Sequence, residues 1–122
     1  ATTDIYTLSL HDALPISDPD LIEQVFINML LNAIDAVKEK PQPQIKVTAS
    51  PNNNGRVSID FADNGYGIKP DILDKIFMPF FTSKKDGSGI GLSLSRQIMH
   101  LHKGSVTVKS IPGEGTVFTL TF

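Results

Sequence analysis

The chain has 122 residues, 40% of them hydrophobic and 20% charged, with a formal net charge of −2; these are the proportions of a globular domain long enough for one hydrophobic core. It has no cysteine, which excludes disulfide frameworks and cysteine-based zinc sites, and its charge balance offers no broad basic face for nucleic acid or anionic lipid. No apolar run approaches the ~20 residues that cross a bilayer, and the N-terminus lacks the basic start and apolar core of a signal peptide. The expectation is a cytoplasmic chain that touches neither nucleic acid nor membrane.

The first 17 residues, "ATTDIYTLSLHDALPIS", contain no Lys, Arg or Gly and no period of 2 or 3.6. They closely resemble the conceptual translation of a common short-read sequencing adapter, with Asp4 where that translation has a glutamate. The segment is expected to be non-native and is set apart from fold reasoning; the alternative is a genuine strand-and-loop lead-in. The domain then occupies residues 18–122, and without Asp4 and Asp12 its eleven acids balance its eleven bases.

Asp18 can cap a helix with Pro19 at its first position, where a missing N–H is harmless, and "KPQP" stops that helix at about Lys38. "QIKVTAS" and "RVSIDFAD" read as strands around the turn "PNNNG". "DNGYGIKP" is a loop, "DILDKI" a short helix, and "FMPFFTSKKDGSG" a loop rich first in aromatics and then in Gly and Lys. "IGLSLSRQIMHLH" is a second long helix, ended by Lys103 and Gly104. "SVTVKS" and "GTVFTLTF" are strands around "IPGEG". Hairpin-like connections favour an α+β fold over a doubly wound sheet: a two-layer sandwich, with a mixed, mostly antiparallel sheet covered on one face by helices.

On the first helix Gln24, Asn28, Asn32, Asp35 and Glu39 recur at spacings of four, four, three and four, which puts them on one face. Leu21, Val25, Met29, Ala33, Ile34 and Val37 fall elsewhere and can cover a sheet. The stripe centres on two amides, poor helix formers whose oxygens suit Mg²⁺ and whose N–H₂ groups suit phosphate; taken alone it fits a solvated face equally well. Asp63, Gly65 and Gly67 follow a strand, where a carboxylate can accept from an exocyclic amine and glycine permits φ > 0. Gly87, Gly89 and Gly91 open the second long helix, a backbone anion site, with Lys84 and Lys85 just before it. The P-loop and the dinucleotide fingerprint are absent: no Gly-Lys-Ser/Thr closes a glycine-rich stretch, and the third fingerprint glycine is replaced by Leu92 or Pro70. The eukaryotic-type protein kinase set is absent too.

Five of these segments, in this order, resemble the ATP-binding catalytic domain of bacterial sensor histidine kinases, in the GHKL superfamily shared with DNA gyrase, heat-shock chaperones and mismatch-repair ATPases. "NMLLNAIDAV" looks like the N box, "DNGYGI" the first glycine box, "IFMPFF" the F box, "GSGIGL" the second glycine box and "GEGTVF" the closing box, together spanning essentially all of residues 18–122. The short lid looks most like that of nitrogen-regulation-type kinases. The resemblance implies Mg²⁺ and ATP as ligands. It gives Asn32 the metal, with Asn28 supporting metal or phosphates one turn earlier, and gives Asp63 the adenine amine with support from Thr116. It implies Gly65 and Gly67 beside the purine, and Gly87, Gly89 and Gly91 closing on the phosphates with Lys84 or Lys85. Ala33, Ile68, Ser88, Ile90 and Leu92 join them as ATP-binding positions of the same boxes, and Phe77, Phe80 and Phe81 as anchors of the lid.

Hydrolytic members of the superfamily activate water with a glutamate one turn before the metal-binding Asn. Here that position is Asn28, a very poor general base, and Glu23 is turned off the stripe. Phosphoryl transfer is therefore favoured over hydrolysis. The alternatives are a GHKL nucleotide-binding module or an anti-sigma-type serine kinase and, less favoured, a GHKL ATPase. The acceptor in the family is a histidine on a separate dimerisation domain, from which phosphate passes to a response-regulator receiver domain. His11 lies in the adapter-like segment, and His100 and His102 are two apart at a helix end, suited to structural or surface roles. The chain is expected to be largely monomeric and to bind ATP as half of a kinase, whether or not its parent is membrane-anchored.

Overall fold

The computed structural model describes residues 18–52, 54–82 and 87–122; the expectations for residues 1–17, His11 among them, and for Lys84 and Lys85 lie outside the described residues. Helix α1 spans Pro19–Val37, with Asp18 as its N-cap and Pro19 in its first turn. The Asp18 carboxylate accepts from the N–H of Asp20 at 3.0 Å and of Leu21 at 3.4 Å, satisfying donors that a helix start otherwise leaves bare. The buried face of α1 is Ile22, Val25, Met29, Ala33 and Val37. Two residues expected to cover the sheet do not: Leu21 is 36% and Ile34 53% exposed. Ile22 is buried in their place, at 5% exposure, so the buried stripe runs Ile22, Val25, Met29, Ala33 and Val37 at spacings of three and four.

Strands β1 (Ile45–Pro51) and β2 (Val57–Asp63) form a hairpin. Its turn is held by Asn52, whose side-chain oxygen accepts from the N–H of Asn54 and of Arg56, both at 3.0 Å, the Asx geometry that makes Asn a turn former. A single-turn helix α2 (Pro70–Leu73) precedes helix α3 (Gly91–Leu101). Strands β3 (Ser105–Ile111) and β4 (Gly115–Thr121) follow. The described strands form one sheet in the order β1-β2-β4-β3, with every pairing antiparallel, and α1 and α3 lie across one face. This is the expected two-layer α+β fold. Phe26 packs edge-on against Phe61 at 5.6 Å and Phe77 against Phe118 at 6.4 Å, filling the space between the layers with Met29, Met99 and Leu120.

Two details at the end of α3 differ from the expected glycine cap. The left-handed residue is Lys103, with φ 58°. Gly104 is required instead because a Cβ there would sit 2.3 Å from the Thr121 carbonyl oxygen. His102, half-buried, ties the two helices: its Nε2 accepts the Asp18 N–H at 2.9 Å and its Nδ1 lies 2.7 Å from the Ile98 carbonyl. Nδ1 therefore carries the proton and donates, a structural role for the residue. His100 is exposed.

Candidate functional site

The helix-covered face of the sheet is apolar for two cross-strand rows and then turns polar. Phe61 faces Phe118, which faces Val108. Two residues further along each strand, on the same face, Asp63 faces Thr116, which faces Ser110. Thr116 is 5% exposed. The Ser110 hydroxyl donates to the Gly115 carbonyl at 3.0 Å, accepts the Ile68 N–H at 2.7 Å and lies 2.8 Å from the Thr116 hydroxyl. With its one hydrogen committed to Gly115, Ser110 receives the Thr116 proton, so the Thr116 oxygen faces the site as an acceptor. The Asp63 carboxylate accepts the Gly65 N–H at 2.8 Å and also the Thr116 N–H. Burial pushes its pKa up, and those two N–H donors act against the rise. It is thus a half-buried anion, pre-oriented and with acceptor capacity left over for a ligand N–H.

The loop after β2 closes this end against α1. Gly67 has φ 75°, and a Cβ there would stand 2.5 Å from the Ile111 carbonyl oxygen, so only glycine is accommodated. The Tyr66 N–H donates to the Ala36 carbonyl at 3.3 Å, and Gly65 packs on the same residue. The Asp63 end of the sheet therefore meets the C-terminal turns of α1.

The other end of the site is built where α1 meets the start of α3. Asn28 Nδ2 donates to the Gly91 carbonyl at 3.2 Å and to Ser95 Oγ at 3.1 Å, while its Oδ1 accepts from Gln24 Nε2 at 3.0 Å. Ser95 is completely buried and its hydroxyl donates to the Gly91 carbonyl at 2.8 Å. Asn32 is half-buried one turn further along. Asp35 pairs with Lys38 at 3.0 Å, which raises the lysine pKa, and Glu39 is exposed. From Asn28 to Ala36 is eight residues, about 12 Å along a helix axis, the length scale of a nucleotide with its phosphates extended. The amide stripe thus spans the distance from the strand-end carboxylate to the start of α3.

The aromatic and glycine segments sit beside that second end. Phe77 and Phe81 pack on the core, and the Arg96 guanidinium lies over the Phe77 ring at 5.5 Å. Phe80 differs from the expected anchor: its side chain is 76% exposed and its φ is 66°. Its backbone is fastened by a 2.9 Å bond from its N–H to the Gly89 carbonyl; a Cβ on Gly89 would lie 2.4 Å from the Phe80 carbonyl carbon. Gly87, Ser88 and Ile90 are exposed, and the Ser88 hydroxyl accepts the Ile90 N–H at 3.4 Å. Leu92 and Ile68 pack against the core and Ala33 is buried within it. Two residues went unnamed in the sequence, Ser95 and Ser110. Their signal was faint: each is a small polar residue in register with an apolar face, Ser110 with Val106 and Val108, Ser95 with Ile98 and Met99.

Among the described residues no three His, Cys, Asp or Glu side chains cluster as a metal site. The oxygen donors of the stripe are neutral amides, a donor type that fits Mg²⁺, which takes one or two protein oxygens and completes its shell with phosphate oxygens and water. A two-layer α+β domain with an anionic acceptor at a strand end and an amide stripe leading to a glycine-rich helix start has the form of a nucleotide-binding ATPase-type domain. Residues 17–122 match the family described as histidine kinase-, DNA gyrase B-, and HSP90-like ATPase. The sensor histidine kinase ZraS of Salmonella typhimurium is 46% identical over 104 residues, covering 85% of this chain and 22% of that protein. The nucleotide-free catalytic domain of histidine kinase ThkA superposes with a TM-score of 0.74 at 32% identity, covering 87% of this chain and 69% of that one. Full-length ShkA in complex with AMPPNP superposes with a TM-score of 0.71 at 30% identity, covering 89% of this chain and 23% of that one. This chain belongs to the histidine kinase-, DNA gyrase B- and HSP90-like ATPase family, and within it is a histidine-kinase-type ATP-binding catalytic domain. It spans about a fifth of the length of its curated sensor-kinase relatives. No helix among the described residues is long and apolar enough to cross a membrane.

Proposed function

We propose that this domain binds Mg²⁺-ATP and is the phosphoryl-donor half of a two-component sensor kinase, whose acceptor histidine lies on a dimerisation domain outside this chain. The observation that carries the reading is that the Asp63–Thr116–Ser110 row sits beside the C-terminal turns of α1, from which the Asn32 and Asn28 amides lead along the same helix to the start of α3. Asp63 accepts the adenine amine, Thr116 supports the same edge, and Gly65 and Gly67 let backbone pass beside the ring. Asn32, supported by Asn28, holds the metal, which when bound neutralises charge on the phosphates. Gly87, Gly89 and Gly91, with Lys84 or Lys85, close over the triphosphate. A nitrogen of the acceptor imidazole bonds to the γ-phosphorus as the bond to the β–γ bridging oxygen breaks and ADP leaves; the phosphate passes on to a receiver domain. Asn28, an amide where hydrolytic relatives carry a glutamate, supports transfer over hydrolysis, because an amide cannot take a proton from water.

The test is incubation with γ-labelled ATP, alone and with a histidine-bearing dimerisation-helix fragment, followed by acid and base treatment. The domain alone is expected to bind ATP, release ADP slowly and carry no acid-labile label. The helix fragment should become labelled only weakly and at high concentration, since the tether that sets effective concentration is missing. Strong self-labelling, or rapid ADP release without an acceptor, overturns the reading.

A further inference from the structure

We propose that Ser95 is a positioning residue for the metal side of the site: together with the Gly91 carbonyl it fixes the Asn28 amide with its nitrogen on α3 and its oxygen turned away from α3, toward the exposed Gln24 side of the stripe. This rests on the reading that the α1 amides serve Mg²⁺-ATP. The two ends of a carboxamide are nearly equal in shape and opposite in chemistry. One orientation offers a cation an oxygen; the other offers it N–H₂ hydrogens.

What chooses between them here is the start of α3. The Gly91 carbonyl is an obligate acceptor. Ser95 could be either donor or acceptor, but its one hydrogen goes to that same carbonyl at 2.8 Å, so toward Asn28 it accepts. Both groups facing position 28 are therefore acceptors, at 3.2 Å and 3.1 Å from Nδ2, and both amide hydrogens are used. Turned over, Asn28 would set its oxygen against the Gly91 carbonyl and could be met by the Ser95 hydroxyl only if that gave up its own bond to the carbonyl, at a Ser95 with no exposure to solvent. A buried mismatch of this kind is not relieved by water. The exposed Gln24 amide, donating to Oδ1 at 3.0 Å, marks the direction in which the oxygen points, and a second lone pair remains for a ligand.

The experiment is calorimetric titration of the whole chain and of Ser95→Ala and Ser95→Cys with ATP and with ADP, each with Mg²⁺ and with a chelator. Cysteine nearly keeps the serine volume without a strong acceptor, so it carries the test if the alanine variant is unstable. The Mg²⁺-dependent gain in ATP affinity is expected to fall about tenfold in both variants, as one oriented hydrogen bond is lost, while ADP affinity in chelator stays within about twofold. In ¹⁵N-labelled apo protein, exchange of the Asn28 side-chain amide hydrogens should be slow in the parent and faster in the variants. A full Mg²⁺ gain in both variants overturns the role of Ser95 and leaves the proposed function standing. Equal losses with and without Mg²⁺ overturn it in favour of a purely structural serine. A parent that binds no ATP overturns the proposed function itself, and this inference with it.

Discussion

The two ends of the site are built by different means. At the Asp63 end the functional row is an extension of the sheet: Asp63, Thr116 and Ser110 stand in cross-strand register and are held by backbone N–H groups and by each other. At the Asn28 end nothing in the sheet takes part. Two helices meet, and at this point they are joined by a side-chain network through Asn28, Ser95 and the Gly91 carbonyl, beside a segment whose Phe80 is exposed and left-handed. A site made this way has an end set by strand pairing and an end that depends on individual amides and hydroxyls. The first should bind whatever part of the ligand is common to all states; the second should respond to metal and phosphates.

Substitutions should separate the two ends. The largest effect is expected from Asp63→Asn, which removes a charge-assisted acceptor worth about 1.5–3 kcal/mol. ATP and ADP affinity should fall about tenfold to a hundredfold, to the same extent with and without Mg²⁺. The fold should not suffer. Because burial raises the Asp63 pKa, its ionised form costs the folded state; that cost is absent below the ordinary aspartate value of about 3.9 and complete above the raised folded value. The variant's thermal midpoint at pH 7 should be no lower than the parent's, and any advantage should vanish at strongly acid pH. Unchanged affinity in a folded variant would remove Asp63 from the site.

Next in size is Asn32→Ala, which should reduce only the Mg²⁺-dependent part of ATP affinity, by about tenfold as one protein oxygen gives way to water. Equal losses in chelator would mean that the two ends are not separable in this way. Ser110→Ala should weaken binding by about threefold to tenfold, the scale of one neutral hydrogen bond. It frees the Ile68 N–H and the Thr116 hydroxyl together, so the loss should be independent of Mg²⁺; titration with both nucleotides checks this. The smallest effect is expected from deleting residues 1–17. The family match begins at residue 17, and if the preceding stretch is adapter-derived its removal should leave melting temperature and affinity almost unchanged. A midpoint several degrees lower would restore the reading of a native lead-in strand.

Most of the framework was legible because it is written in local chemistry. Asp18 with Pro19, the Asn52 turn and the alternation in "SVTVKS" and "TVFTLTF" each act within a few residues, and strong patterns of that kind override little else. The family was legible for a different reason: each motif is ambiguous alone, and it is five of them in a fixed order over residues 18–122 that match one family. The misreadings came where a neighbour decided the outcome. Leu21 and Ile34 fit an apolar stripe, but the face of α1 that packs is centred on Val25, Met29 and Ala33 with Ile22, which leaves them exposed. Gly104 looked like a left-handed cap, and the Thr121 carbonyl made it a contact glycine while Lys103 took the positive φ. Phe80 reads like Phe77 and Phe81, yet its side chain found no core to enter.

The sequence by itself determined the elements, their order and the residue types brought to the site, since these follow from periodicity, capping and turn chemistry. Tertiary structure alone decided what Ser95 and Ser110 do and how the Asn28 amide is turned. A serine has one hydrogen and accepts or donates according to what it meets, and here what it meets is separated by 67 residues for Asn28 and Ser95 and by 42 for Ile68 and Ser110.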